Sequence, residues 1–180
     1  MAHLDLEKRK SIEKSVENIK LDTGLSYPEN SLVEIASALG ASVVDAPLPP
    51  FNGKNVKGYI KWFVNDEELN ENKPYKAKIY LNSNQVGVVK NFTLAHEIGH
   101  LVLHKGDDSF RIDLQDYSEE ADPDNQETEA NYFAGSLLMP EEKLLLAIKN
   151  VKNLEEAAES FGVSRPAIES RLKWLGYVIR

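Results

Sequence analysis

The chain contains no cysteine, so neither a disulfide nor a thiolate metal site can organise it. No apolar run approaches the roughly 20 residues needed to span a bilayer, and no signal-peptide pattern heads the sequence. A cytoplasmic location away from membranes is the expectation. Glycine is sparse, with 10 residues and no phosphate-cradling loop among them, and no repeat or low-complexity tract occurs. Positive charge is in deficit as well. Lys and Arg number 21 against 29 Asp and Glu, and the net charge of -8 argues against a generic polyanion binder. At 180 residues and 42% hydrophobic content the chain can bury one real core, with room for a small appendage.

What the chain does have is Asn91-Phe-Thr-Leu-Ala-His96-Glu97-Ile-Gly-His100-Leu-Val-Leu-His104. On a helix of about 3.6 residues per turn, His96 and His100 share a face and can send two imidazoles to one ion. Glu97 lies roughly 100° round from His96, too far to ligate with them but able to reach a water held by the metal. That layout suits a zinc hydrolase: the metal lowers the pKa of the water towards about 7, and the carboxylate takes its proton as it attacks a carbonyl. Phe92, Leu94, Ala95, Ile98, Leu101, Val102 and Leu103 leave little polar surface, so this helix is expected to be buried. With only four histidines in the chain, His-Glu-x-x-His arises by chance in roughly 1 of 100 such sequences. A second motif has to supply the rest.

A catalytic zinc site takes three protein ligands and keeps one position open. His104 continues the i, i+4 row, but three successive residues on one nearly straight line cannot surround an ion. The extended pattern with a Gly and a third His is absent, since Leu103 and Gly106 stand at those positions. His104 is therefore read as an end-of-helix side chain meeting the last carbonyls. The next helical stretch offers better donors: Asp122 and Pro123 would start it, Pro140 would stop it, and Ala130, Phe133, Ala134, Leu137 and Leu138 form one apolar stripe. At about 100° per residue Glu127 falls at the edge of that stripe beside Asn131, whereas Glu129 points further away. Helical angle thus favours Glu127 over Glu129 as third ligand, with Asn131 as the partner that orients a histidine ligand. Glu129 fits a solvated acid better. Ala130 and Ala134 are small enough to let the two helices approach closely.

Phe92-Thr-Leu-Ala-His-Glu-Ile-Gly-His100, followed by Glu127-Thr-Glu-Ala-Asn131-Tyr-Phe-Ala-Gly-Ser-Leu-Leu-Met-Pro140, resembles the ImmA/IrrE family of bacterial and phage metallopeptidases. The strong part of the likeness runs from about Lys90 to Pro140, with weaker similarity to a preceding hairpin and a following helical tail. The resemblance implies a minimal zincin-like metallopeptidase with Zn2+ held by His96, His100 and Glu127 and with Glu97 as general base. The family's conserved acid lies four residues before the Asn, which favours Glu127 by an independent route. Members characterised as anti-repressors cleave a helix-turn-helix repressor. A protein substrate of that kind is what the resemblance implies here.

Around these motifs, residues 4 to 20 place Ile12, Val16 and Ile19 on a narrow stripe in a charged surface, an amphipathic helix expected to dock on the core. Asn30 or Ser31 caps a second helix carrying Leu32, Ile35, Ala36 and Leu39 and ending at Gly40, and Ala41 to Asp45 reads as a strand. Gly58 to Val64 and Ala77 to Leu81 alternate well enough to pair, with the acidic, Asn-rich segment between them as hairpin loop. An edge of that sheet is expected to bind an extended polypeptide by strand addition, while Trp62 and Tyr80 are read mainly as packing. Gly106 to Asn125 carries eight acidic residues against the single base Arg111, and is read as a connecting loop anchored by Phe110, Ile112, Leu114 and Tyr117. Its acidity hints that a basic segment is accepted.

The tail from Asn153 shows a helix, a Gly162 turn, a Ser164 cap and a second helix, a helix-turn-helix outline. Arg165, Arg171 and Lys173 are its candidate DNA contacts, yet residues 151–180 sum to only +1, and phosphate binding needs several clustered cations. Packing on the core, or mimicry of a repressor's fold at a partner interface, is the preferred reading. The expected molecule is thus an α+β protein, mostly helical with a small sheet: a peptidase domain over 1–150 and a helix-turn-helix-like extension over 151–180. Its expected activity is zinc-dependent peptide hydrolysis, directed at a helix-turn-helix repressor. The alternative is a non-catalytic regulator that binds such a partner, with structural zinc. A His2Glu set also suits manganese or iron, and zinc is the commonest for this motif.

Overall fold

The computed structural model describes residues 4–63, 75–104, 110–114 and 126–178, the 110–114 stretch by its backbone. Helix α1 (Leu6–Thr23) starts where the Asp5 carboxylate accepts from the Lys8 N–H at 2.7 Å and stops at Gly24, whose φ of 73° suits a residue without Cβ. Ile12 and Ile19 from its stripe are buried. Helix α2 (Leu32–Ala38) begins with a reciprocal capping box between Ser31 and Glu34, which satisfies two otherwise orphaned donors.

Four strands follow in the order β1-β3-β2-β4 across one mixed sheet: β1 (Ala41–Ala46), β2 (Val56–Trp62), β3 (Ala77–Asn82) and β4 (Phe110–Leu114). The expected antiparallel pairing of β2 with β3 is present, running from Gly58 opposite Leu81 to Trp62 opposite Ala77. Tyr80 stacks on its cross-strand neighbour Tyr59 with centroids 4.5 Å apart, and Trp62 packs on the core; both are packing residues. β1 runs parallel to β3, and β4 runs antiparallel to β2. For Phe110–Leu114, that last strand corrects the reading of this stretch as loop. Phe110, Ile112 and Leu114 recur with period two, and the free edge of β2 offers that pattern a ladder. Residues 65–74 of the hairpin loop expected between Val64 and Ala77, and the helix start expected at Asp122 and Pro123, lie outside the described residues.

Helix α3 (Gly87–Leu103) lies against this sheet, and α4 (Gln126–Leu138) lies against α3. α5 (Glu141–Asn150) follows Pro140, then α6 (Leu154–Phe161) and α7 (Arg165–Trp174) form the tail. Gly162 turns the chain at φ 62° and the Ser164 hydroxyl caps α7, as the outline required. Ala157, Phe161, Val163, Ile168 and Leu172 of the tail belong to the same hydrophobic cluster as Ile12, Ile60, Ile98 and Phe133. One core therefore serves the whole described chain.

Two of the tail's cations have partners within the fold, and one of them is part of this packing. Arg171 is 2% exposed; its Nη2 donates to Glu13 Oε1 at 2.8 Å, its Nε donates to the Met139 carbonyl at 3.2 Å, and its guanidinium lies over the Tyr132 ring. Arg165 pairs with Glu155 and Glu169. The turn itself is pinned, because Tyr27 Oη donates to the Phe161 carbonyl and Asn91 Nδ2 donates to the Gly162 carbonyl. Arg171 is thus not a DNA contact.

Candidate metal centre

Nothing in the side chains caps the start of α3, whose N-cap is Val86. The helix is held by burial instead: every residue from Thr93 to Leu101 is buried, so its backbone bonds form in a site shielded from water. Sheet and helix meet where β2 gives up a side chain. A Cβ built on Gly58 would lie 2.8 Å from Thr93 Cγ2 and 3.5 Å from Glu97 Oε1, so the strand comes close enough to wall in the carboxylate. Gly99 does the same for the two helices. Its Cβ would stand 3.1 Å from Ala130 Cα and 3.2 Å from the Ala130 carbonyl oxygen. The small residue expected on α4 is therefore matched by one on α3.

This close crossing brings Glu127 and Asn131 of α4 to His96 and His100 of α3. The two Nε2 atoms are 3.0 Å apart, with Glu127 Oε2 3.2 Å from that of His96 and Oε1 3.3 Å from that of His100. Behind them, the Nδ1–H of His96 donates to Asn131 Oδ1 at 3.0 Å, which leaves its Nε2 lone pair facing the cluster. Glu97, His96 and His100 are buried, whereas the Glu127 side chain keeps 37% of its surface. Burial alone would raise the Glu127 carboxyl. When both rings are protonated and no metal is bound, hydrogen bonds from His100 and His96, and their charge, outweigh it and hold this group well below the usual carboxylate range; with a bare Nε2 on each ring, as metal binding requires, those bonds are absent.

Two imidazole nitrogens and a carboxylate that all approach one point are a donor set for a divalent transition metal. Donor–metal distances of about 2.0–2.2 Å put the edges of a tetrahedron at about 3.3–3.6 Å. The observed separations of 3.0, 3.2 and 3.3 Å are at or slightly inside that range, so a small spreading of the donors would let His96, His100 and Glu127 hold such an ion. Two residues outside this group differ from expectation. His104 does not turn to the last carbonyls: its ring is buried, with Nδ1 2.9 Å from His100 Nδ1 and Nε2 3.2 Å from Glu129 Oε2. Glu129 is not a solvated acid either, because it bridges His104 and Lys8 Nζ, the latter at 2.8 Å. A helical wheel of α4 alone cannot show this, since the C-terminal end of α3 reaches Glu129 only once both helices are packed. The spacing of His104 four residues after His100 was the available signal.

The family model Peptidase_M78, the IrrE N-terminal-like domain, matches residues 36–173. The chain belongs to this family. The match spans β1 to α7 and so includes the whole His-Glu cluster, Glu97 and most of the tail, and family membership gives the chain a metallopeptidase-like function. No curated protein matches significantly. Among the described residues no helix is long and apolar enough to cross a membrane.

Proposed function

We propose that this chain is a zinc-dependent endopeptidase acting in the cytoplasm on a protein substrate, a helix-turn-helix repressor. The observation that carries the reading is the convergence of His96 Nε2, His100 Nε2 and a Glu127 carboxylate within 3.0–3.3 Å of one another, with Glu97 next to them in the chain. A divalent ion bound there would supply Lewis-acid polarisation of water and of the scissile carbonyl. The protein's own contribution is positional. Glu97 takes the proton of the attacking water and returns it to the leaving amine, and Asn131 fixes His96 with its Nε2 turned inward. A substrate strand adding to the sheet on the side of the site meets β4, the outermost strand next to β2.

The test is metal content and repressor cleavage on wild type, Glu127→Ala and Glu97→Gln. Loss of metal in the first variant, with retained metal and lost cleavage in the second, is the expected result. Full function in Glu97→Gln would make the site structural and the protein a binding regulator.

A further inference from the structure

We propose that His104 is a positioning residue for His100, held in that role by Glu129, so that a carboxylate–imidazole–imidazole chain fixes the metal-binding tautomer. The inference rests on the metal-site reading above. His104 itself is not a member of the metal group. It stands behind His100, where α3 ends: its backbone N–H still donates to the His100 carbonyl at 3.0 Å, but φ −120° and ψ 44° take it out of the helix. That departure lets its ring face the Nδ1 of His100 rather than the Nε2.

The proton count in the chain has one solution consistent with metal binding. The Glu129 carboxylate can only accept, so the His104 nitrogen facing it, Nε2, carries the hydrogen. A neutral imidazole has one N–H, and His104 Nδ1 is then an acceptor. It takes the hydrogen of His100 Nδ1 at 2.9 Å, and His100 Nε2 is left with a bare lone pair towards His96 and Glu127. The opposite order would put the hydrogen on the His100 nitrogen that faces the site. Glu129, 16% exposed, is steadied from outside by Lys8 of α1. His96 receives the equivalent service from Asn131 in a single step. The two α4 acids thus divide the work: Glu127 faces the ion and Glu129 sets the orientation of a histidine that faces it.

The experiment measures Zn2+ affinity of the full chain by competition with a chromophoric chelator, together with the visible spectrum of the Co2+-loaded protein and the unfolding temperature of each metal-free variant. His104→Leu and Glu129→Ala are expected to bind Zn2+ about 10–100-fold more weakly, the usual cost of removing the partner of a ligating histidine. His104→Asn places a carbonyl oxygen near the former Nδ1 and should recover most of the affinity and the wild-type Co2+ spectrum. Adding Glu129→Ala to His104→Leu should cost nothing more, because both act through one chain. Affinity unchanged in His104→Leu, or lost equally in His104→Leu and His104→Asn, overturns the proposal. Wild type that takes up no Zn2+ overturns both this and the peptidase reading, whereas Zn2+ uptake without repressor cleavage counts against the peptidase reading alone.

Discussion

Gly58→Ala tests whether β2 has to come as close to α3 as it does. The new methyl would stand 2.8 Å from Thr93 Cγ2 and 3.0 Å from the Tyr80 carbonyl oxygen. The first distance is shorter than real Cβ contacts, and Thr93 is a buried β-branched residue with little rotamer freedom. Overpacking of this kind costs about 1–3 kcal/mol. Against it, alanine in a strand is better than glycine by roughly 0.5–1 kcal/mol. The net expectation is a loss of about 1–2 kcal/mol, or a fall in Tm of roughly 3–6 °C for a chain of this length.

A second substitution isolates the cause. Thr93→Ser deletes the Cγ2 that the new methyl would strike and keeps the hydroxyl; alone it should cost about 1 kcal/mol for one buried methyl. In the double variant the clash is gone, so the combined loss should be smaller than the sum, with a coupling of at least about 0.5 kcal/mol. Rescue stays incomplete because the Tyr80 carbonyl is backbone and cannot be trimmed. Urea unfolding of the four proteins in metal-free buffer provides the cycle. A Gly58→Ala variant as stable as wild type, or strict additivity in the double variant, would refute the claim that this glycine is there for close approach.

Two further outcomes follow from the packing. Arg171→Met should destabilise by about 2–3 kcal/mol in chemical denaturation, less than the loss of a partner from a fully buried pair because Glu13 keeps 35% of its side chain in water, and Arg171→Lys should rescue little, since one ammonium cannot reproduce a fork to both Glu13 and the Met139 carbonyl; wild-type stability in either variant counts against the tail as a brace. Zn2+ at about 100 times its Kd should raise wild-type stability by about 2.7 kcal/mol, and a chelator should remove the gain. Glu127→Ala should show no such gain, and an unchanged response to Zn2+ in that variant would take Glu127 out of the site.

The sequence carried much of this molecule because its signals were local. The helix around His96, the capped α2, the alternation of β2 and of β3, and the Gly162–Ser164 turn are each written in contiguous stretches of sequence by periodicity, caps or turn chemistry. The choice of Glu127 over Glu129 for the inner position came from helical angle on one element, and the structure does bring Glu127 to His96 and His100. What escaped depended on two elements at once. β4 is a strand because β2 presents an edge, Glu129 is engaged because α3 ends beside it, and Arg171 is buried because α1 and α4 close over it. An exposed cation and a buried one look the same in a sequence. Only the partners differ.

Those partners give the two ends of the chain a common task. α1 touches α4 twice: Lys8 reaches Glu129 beside the metal group, and Glu13 accepts from Tyr132 Oη at 2.9 Å and Ser136 Oγ at 3.0 Å further along. α7 joins the second contact through Arg171, and Trp174 stacks on Tyr132 with centroids 4.8 Å apart. Arg9 Nη1 also donates to the Trp174 carbonyl at 2.8 Å, so the first and last helices are tied to each other as well as to α4. The position of α4 matters because Glu127 and Asn131 ride on it and must meet histidines on a different helix within a few tenths of an ångström. α3 is fixed by the sheet on one side and by the burial of Thr93–Leu101. α4 has the Gly99 crossing on one side, and on the other it has α1 and α7. The helix-turn-helix outline of the tail is accordingly a brace in this protein: its second helix commits the buried Arg171 to Glu13 and the Met139 carbonyl and stacks Trp174 on Tyr132, and these two residues help keep α4 in place against α3.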